Sequence, residues 1–138
     1  MHFSTFLETQ LLNTILRSAE AYKPPAVYAA LFTDEATDAP GGPEVSAPGY
    51  ARAQITQADA NWTTPAIDLA GGSSTLNAIA ITFPKPSGDW GRVTHIALYD
   101  AATDGNKLVW GPLIDPKNIN NGDPSPVFKV NSISWRLD

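Results

Sequence analysis

Short apolar runs separated by turn residues fill the chain after residue 25, and this texture most constrains its fold. The 138 residues include 12 Pro and 10 Gly, and Pro and Gly, together with Asn and Asp, interrupt every periodic segment in this region. The segments that fit strands are 26–33, 51–56, 66–69, 76–83, 93–99, 108–113 and 127–137. Such spacing predicts a mainly β fold: a single-domain β-sandwich or jelly-roll-like module spanning residues 1–138.

The segment before this region has the pattern of an N-terminal amphipathic helix over residues 5–20. Residues 5–8 (TFLE) have the form of a capping box. The apolar residues that follow recur on one face: Leu7, Leu11, Leu12, Ile15 and Leu16. Prolines at positions 24 and 25 disfavour continuation of the helix. We place the β-rich part at residues 26–138.

The strand patterns make further predictions about packing. Residues 27–32 (VYAALF) are apolar on both faces, which predicts a central strand covered by the second sheet on one face and by the helix or a neighbouring subunit on the other. Residues 127–137 change phase near Asn131, which predicts either a bulge or a break into two strands. The Asp104-Gly105 pair between two apolar runs predicts a hairpin.

Two long segments between strands are rich in Pro and Gly and poor in core residues. They are residues 34–49 and 114–126. This composition predicts a mobile excursion at 34–49 and a second long loop at 114–126. Both are long enough to clamp neighbouring subunits in an assembly.

Several classes of function find no support in the composition. The chain has no Cys and two His, which excludes a disulfide framework and makes metal sites built on Cys or His poor candidates. A net charge of -5 with nine scattered Lys and Arg argues against nucleic-acid binding. No apolar run is long enough to cross a bilayer, and the N-terminus lacks a leader pattern, so we expect no membrane partner.

Enzymatic chemistry is equally unsupported. No nucleotide-binding glycine motif and no nucleophile elbow are present. His95 alternates with strand residues and fits a half-buried or interface histidine better than a catalytic base. Asp34, Glu35 and Asp38 could hold Ca²⁺, although a solvated acidic loop fits better. We therefore expect no catalytic residue, no cofactor and no metal.

The four tryptophans divide into two groups. Trp110 and Trp135 lie within strand patterns and fit the core, whereas Trp62 and Trp90 follow polar residues in loops. Exposed aromatic rings beside Asp and Asn can stack on sugars. Trp62 and Trp90 are therefore the candidate glycan contacts.

Several motifs taken in order resemble a group of small tailed-phage and prophage virion proteins, often labelled tail-fibre proteins. They span most of the chain: FSTFLE at 3–8, VYAALFT at 27–33, EVS at 44–46, GYAR at 49–52, FP at 83–84, DWG at 89–91, VTH at 93–95, LYDAAT at 98–103 and GN at 105–106. The resemblance implies a virion structural protein, made in the host cytoplasm.

The place of the protein on the virion is inferred from the length of the chain and from its pattern of short apolar runs. A fibre shaft needs a coiled coil, a β-helix or a repeat, and none is encoded, so we expect an outer-surface module that decorates or cements the capsid. The alternative is a tail-fibre or tail accessory module that binds a host-surface glycan. Expected partners are major capsid or tail proteins and copies of the chain itself, as a trimer. The candidate subunit-interface residues are Leu7, Leu11, Ile15, Tyr28 and His95.

Overall fold

Antiparallel strands and one α-helix make up the computed structural model, which describes residues 2–39 and 41–137. The elements are β1 (His2–Phe3), α1 (Thr5–Leu16), β2 (Val27–Phe32), β3 (Ala53–Ile55), a 3₁₀ turn (Asp59–Asn61), β4 (Ala66–Ile67), β5 (Ser73–Leu76), β6 (Ile81–Thr82), β7 (Gly91–Tyr99), β8 (Lys107–Ile119), β9 (Val127–Phe128) and β10 (Ser134–Leu137). The predicted mainly β, sandwich-like fold with one N-terminal helix is confirmed. No helix formed by the described residues is long and apolar enough to cross a membrane.

The largest sheet has the strand order β1-β8-β7-β2-β3, and the others are β10-β5-β4 and β6-β9. The main core lies between the large sheet and the two small ones. Ala29 and Leu31 of β2 enter this core with Phe83 and Trp135. Alternate residues of β2 pack on the opposite face of the large sheet with Tyr99 and Trp110. β2 is therefore apolar on both faces because both faces are covered.

The loop that follows β2 covers much of that opposite face. Ala36 is fully buried in the second cluster. The backbone N–H of Thr33 donates to the carbonyl of Pro43 at 3.0 Å, and that of Val45 donates to Leu31 at 2.9 Å. The expectation that residues 34–49 bury no core is wrong, because Ala36 and Val45 are buried and the loop carries backbone hydrogen bonds to the sheet. Its mobility stays a prediction.

A buried lysine holds the same loop. Lys107, at the start of β8, is 1% exposed, and its ammonium donates to the carbonyls of Thr37 at 2.8 Å, Ala39 at 3.0 Å and Gly41 at 2.7 Å. Three donors therefore meet three acceptors. Burial lowers the pKa of Lys107, and the nearby carboxylates of Asp38 and Glu44 act in the opposite direction.

A salt bridge ties the end of this loop to the large sheet. Arg52 donates to Glu44 through Nε at 2.8 Å and through Nη2 at 2.7 Å. Its Nη1 donates to the carbonyls of Ala101 and Asp104 in the β7–β8 hairpin, both at 2.8 Å, and its guanidinium lies 3.7 Å from the centre of the Tyr99 ring. One arginine thus joins the loop, β3 and the hairpin.

The helix begins and ends differently from the prediction. Ser4 is the N-cap residue and accepts from the backbone N–H of Leu7 at 3.1 Å, so the predicted capping box is wrong by one residue. The helix ends at Leu16 instead of residue 20. The reason is that Ser18 adopts a left-handed φ of 58° and the N–H groups of Arg17 and Ala19 both bond to the carbonyl of Asn13.

Several strand boundaries also differ. The predicted strand at 76–83 is split into β5 and β6 around the buried Asn77, and the segment at 127–137 breaks into β9 and β10, which confirms the second of the two alternatives. Asn131 supplies the turn with a φ of 62°. β8 continues to Ile119, where the sequence predicted a loop from residue 114. The predicted hairpin is confirmed, with Asp104 and Gly105 both at positive φ.

We expect Lys107→Met to lower the free energy of unfolding by about 2–4 kcal/mol, because three carbonyls lose a buried charged donor. Urea denaturation measures this change, and hydrogen exchange at residues 34–44 should accelerate before global unfolding. The control is Lys85→Met, which alters an exposed lysine and should shift stability by no more than about 0.5 kcal/mol. Equal effects of the two substitutions would contradict a structural role for the Lys107 ammonium.

Candidate functional site

An open groove lies where the two larger sheets face the segment that follows the helix. We call it the Trp62 groove, and its volume is about 870 Å³, within the range of ligand-binding clefts. Its apolar wall is formed by Val27, Leu98, Leu108 and Val109 of the large sheet. Trp62 and Trp135 provide aromatic surface, and the rim contains Lys23, Gln57, Asp59 and Thr64.

Trp62 is held in the groove by hydrogen bonds between its neighbours and β5. It is half-buried and pairs with Asn77 through an isolated β-bridge. The next residue, Thr63, accepts from the N–H of Leu76 at 2.9 Å, and its carbonyl accepts from Thr75 Oγ1 at 2.6 Å. These bonds fix the backbone at Trp62, and its ring packs against the main core.

The buried side chain of Asn77 links several segments of the same region by hydrogen bonds. Its amide donates to the carbonyls of Ile79 and Lys129 at 2.8 Å, and its side-chain oxygen accepts from the N–H of Ile133 at 2.8 Å. The backbone carbonyl of Asn77 also accepts from the N–H of Asn131. A fully buried amide with these partners connects β5 to the segment before β10, which carries Trp135.

Tyr22 forms the side of the groove nearest the helix. Its hydroxyl donates to Asp100 at 2.6 Å, and its ring meets that of Phe6 edge-on with centres 5.0 Å apart. Burial, followed by the bond to the Asp100 carboxylate, holds the pKa of Tyr22 well above its usual value. Burial would raise the pKa of Asp100, but the hydrogen bonds from Tyr22 and Asn106 outweigh it and lower that pKa.

The polar residues on the rim leave hydrogen-bonding groups available. Lys23, Gln57, Asp59 and Thr64 are exposed to solvent. Trp135, in contrast, is 7% exposed, and its indole Nε1 has no hydrogen-bond partner within the described part of the chain. An aromatic and apolar surface bordered by a cation, an anion, an amide and a hydroxyl can bind a ligand that has both apolar faces and hydroxyl groups.

Trp90 does not belong to this site. It is 3% exposed, donates from Nε1 to the carbonyl of Pro48 at 3.1 Å, and meets the Tyr50 ring edge-on at 5.3 Å. The expectation that Trp90 is accessible in a loop is wrong, because the segment around Pro48 covers its ring. Trp110 and Trp135 are in the core, as predicted.

The structure distributes the five candidate interface residues over three places. Leu7 is half-buried and lines the groove. Leu11 and Ile15 lie on the exposed side of the helix. Tyr28 and His95 are half-buried in β2 and β7, and the His95 ring lies 6.3 Å from the centre of Trp110. Their role in subunit contacts stays a prediction.

Sequence analysis did not single out Tyr22 or Asn77 as residues that build a site. Asp100 follows an apolar strand and precedes an Asp-Gly turn, which is a recognisable signal for a carboxylate that caps a hairpin. Tyr22 and Asn77 carry no comparable signal, since their partners are distant in the sequence.

No group of three or more His, Cys, Asp or Glu side chains is placed to hold a metal ion within residues 2–39 and 41–137. The acidic residues considered for Ca²⁺ have other contacts. The Asp34 carboxylate accepts from the N–H of Glu35 at 2.8 Å, and Asp38 accepts from Trp110 Nε1 at 2.8 Å.

Comparison with known proteins identifies the family of the chain. The model of a family described as Podophage GP4 fiber I protein gp80 matches residues 2–136, which is nearly the whole chain. No curated protein matches the chain.

We expect the contribution of Asp100 to stability to depend on pH. Its pKa is lower in the folded protein than in the unfolded chain, so the contribution is present above about pH 4 and is lost as the pH falls through the folded-state value. The Asp100→Asn variant lacks this contribution at every pH. The difference in unfolding free energy between the wild type and this variant should therefore be constant from pH 5 to 7 and shrink below about pH 4.

Urea denaturation at a series of pH values measures this difference. The matched control is Asp89→Asn, since Asp89 is exposed and its carboxylate accepts one backbone bond, from Asn121. A wild-type advantage over Asp100→Asn that persisted unchanged at pH 3 would show that the Tyr22 and Asn106 contacts do not depend on the ionised carboxylate.

Proposed function

The chain belongs to the Podophage GP4 fiber I protein gp80 family, whose model matches residues 2–136, and on this premise we propose that it is a tail-fibre module that binds a host-surface glycan. Family membership makes the protein a structural component of a phage virion that associates with other virion components. It also confirms the resemblance to virion proteins labelled as tail-fibre proteins. The family supports the tail-fibre alternative better than capsid decoration.

The Trp62 groove is the observation that carries the glycan part of the proposal. Sugar rings present apolar C–H faces and a border of hydroxyls. Trp62 supplies an aromatic face, and hydrogen bonds of the adjacent Thr63 hold this part of the backbone on β5. Exposed Gln57 and Asp59 offer hydrogen-bonding groups at the rim. A preorganised aromatic surface lowers the entropy lost on binding.

The proposed role is non-enzymatic. The described side chains at the rim do not form a nucleophile–base pair, since the carboxylate of Asp59 and the ammonium of Lys23 are both exposed to water. Asp100, whose pKa is lowered, bonds to Tyr22 and Asn106 and acts as a positioning residue. Binding without turnover fits a family of fibre proteins.

Capsid decoration remains the second candidate, and the feature that favours it is the lack of an encoded shaft. In that role the protein would stabilise the particle, and the predicted clamping segments would engage capsid subunits. The hydrogen bonds of the loop at residues 33–45 reduce the support for capsid decoration. A segment already bonded to its own sheet is less available to bridge two capsid subunits.

We expect Trp62→Ala to weaken binding to polysaccharide extracted from the host-cell surface by more than tenfold. An aromatic residue at the centre of a binding site typically contributes about 2 kcal/mol or more, and each 1.4 kcal/mol is tenfold in Kd. Titration followed by tryptophan fluorescence measures this binding. The control is Leu69→Ala, which truncates a fully exposed side chain outside the groove and should bind like the wild type.

Phage particles separate the two candidate roles. Particles carrying Trp62→Ala should lose adsorption to host cells and keep their temperature of thermal rupture. Particles that lack the protein, rupture at a lower temperature and adsorb normally would instead assign it to capsid decoration. Unchanged polysaccharide binding by a folded Trp62→Ala protein would overturn the glycan assignment.

A further inference from the structure

One wall of the Trp62 groove, contributed by residues 57–65, is held by backbone hydrogen bonds. The N–H of Thr63 donates to the carbonyl of Leu76 at 2.8 Å, and the carbonyl of Asn61 accepts from the N–H of Ala78 at 2.8 Å. This wall cannot move away from the groove without breaking its bonds to β5 and to the residues that follow β5.

Another wall is formed by the segment between α1 and β2, residues 17–26, which we call the strap. Its residues Tyr22, Lys23 and Pro24 line the groove. The strap has no helical or strand structure, and most of its residues are exposed. Within the described part of the chain, residues 20–25 form no backbone–backbone hydrogen bond. Segments with few buried contacts and with backbone groups open to solvent unfold locally at a low cost in free energy.

The side chain of Tyr22 is the main attachment of the strap to the rest of the protein. Its ring packs edge-on against Phe6, and its hydroxyl donates to Asp100 Oδ2 at 2.6 Å. The Asp100 carboxylate is fixed independently of the strap, because it also accepts from the N–H of Asn106 at 2.6 Å and from the Asn106 side-chain amide at 2.8 Å. A hydrogen bond to an ionised carboxylate is stronger than one between neutral groups. One strong bond to a preformed acceptor therefore holds an otherwise lightly attached segment in place.

We propose that the strap is a gate over the Trp62 groove and that the hydrogen bond between Tyr22 and Asp100 is its latch. When this bond breaks, the strap moves away and a ligand passes between it and Trp62. When the bond forms again, the wall that contains Lys23 and Pro24 closes on the ligand. The inference rests on the proposed function for the identity of the ligand, whereas the gate is a property of the free protein.

A gate and a ligand contact have different kinetic signatures. If the ligand enters and leaves only through the open state, a variant that opens more often has association and dissociation rate constants raised by the same factor. Its Kd hardly changes as long as the closed state predominates. Loss of a direct contact raises mainly the dissociation rate constant and weakens binding.

Tyr22→Phe tests the latch, because it removes the hydroxyl and keeps the ring. We expect both rate constants for polysaccharide extracted from the host-cell surface to rise about tenfold, since a hydrogen bond to a charged group contributes at least about that factor. Stopped-flow tryptophan fluorescence measures the rate constants. Hydrogen exchange of the backbone amides of residues 20–23 should accelerate by a similar factor in the free protein. The matched control is Tyr28→Phe, which removes a hydroxyl of β2 outside the groove and should leave both measurements unchanged.

Quenching of tryptophan fluorescence by acrylamide tests the gate without a glycan. Trp62 is half-buried in the groove, whereas Trp90, Trp110 and Trp135 are 3, 6 and 7% exposed. Quenching therefore reports mainly on access to Trp62. It should rise in Tyr22→Phe and rise further in Tyr22→Ala, which also loses the ring contact with Phe6.

Unchanged hydrogen exchange and unchanged quenching in a folded Tyr22→Phe protein would overturn the latch. An increase in the dissociation rate constant alone would make Tyr22 a ligand contact and would overturn the gate. A wild-type protein that binds no polysaccharide, although Tyr22→Phe accelerates exchange and quenching, would overturn the proposed function and leave the gate standing. The two failures are therefore distinguishable.

Discussion

Burial of the Lys107 ammonium against three carbonyls is the interaction on which the arrangement of the large sheet depends. A buried charge costs several kcal/mol unless its donors are satisfied, and here the loop at residues 34–44 supplies all three acceptors. The loop in turn covers Phe32 and Tyr99. β2 and β7 can therefore be apolar on both faces without a partner subunit on the outer one. The Arg52–Glu44 salt bridge closes the same loop at its other end.

The Trp62 groove and the outer face of α1 are surfaces of different chemistry. The Trp62 groove has an aromatic surface with polar groups at its rim, and bonds from Thr63, Thr75 and Asn77 fix its shape. The outer face of α1 exposes Leu12, Ile15 and Leu16 together with Glu8. A groove with polar groups at its rim suits a small hydroxylated ligand.

Local patterns predicted those parts of the fold that depend on neighbours in sequence. The alternation in β2, the Asp104-Gly105 turn and the helical spacing after residue 5 each reflect contacts within a few residues. The anchored loop was missed because its composition resembles that of a free loop, and its main partner, Lys107, lies some 70 residues away. Trp90 was placed at the surface for the same reason, since Pro48 covers it from a distant segment. Sequence analysis identified Trp62 as a candidate contact, but it could not predict the hydrogen bonds of Tyr22 and Asn77 that support the groove.

Within the described residues, the ammonium of Lys107 donates to three backbone carbonyls of the loop and to none of its side chains. The side chains at residues 37 and 39 are therefore free to change, provided that the backbone keeps its path, whereas the φ of 89° at residue 41 favours glycine. A lysine at this position can retain its role in homologues whose loops share no recognisable sequence with this one. Sequence divergence at 34–44 would then be a poor measure of structural change. The lysine resembles an ordinary surface residue in a sequence, but it would be the better indicator of common ancestry.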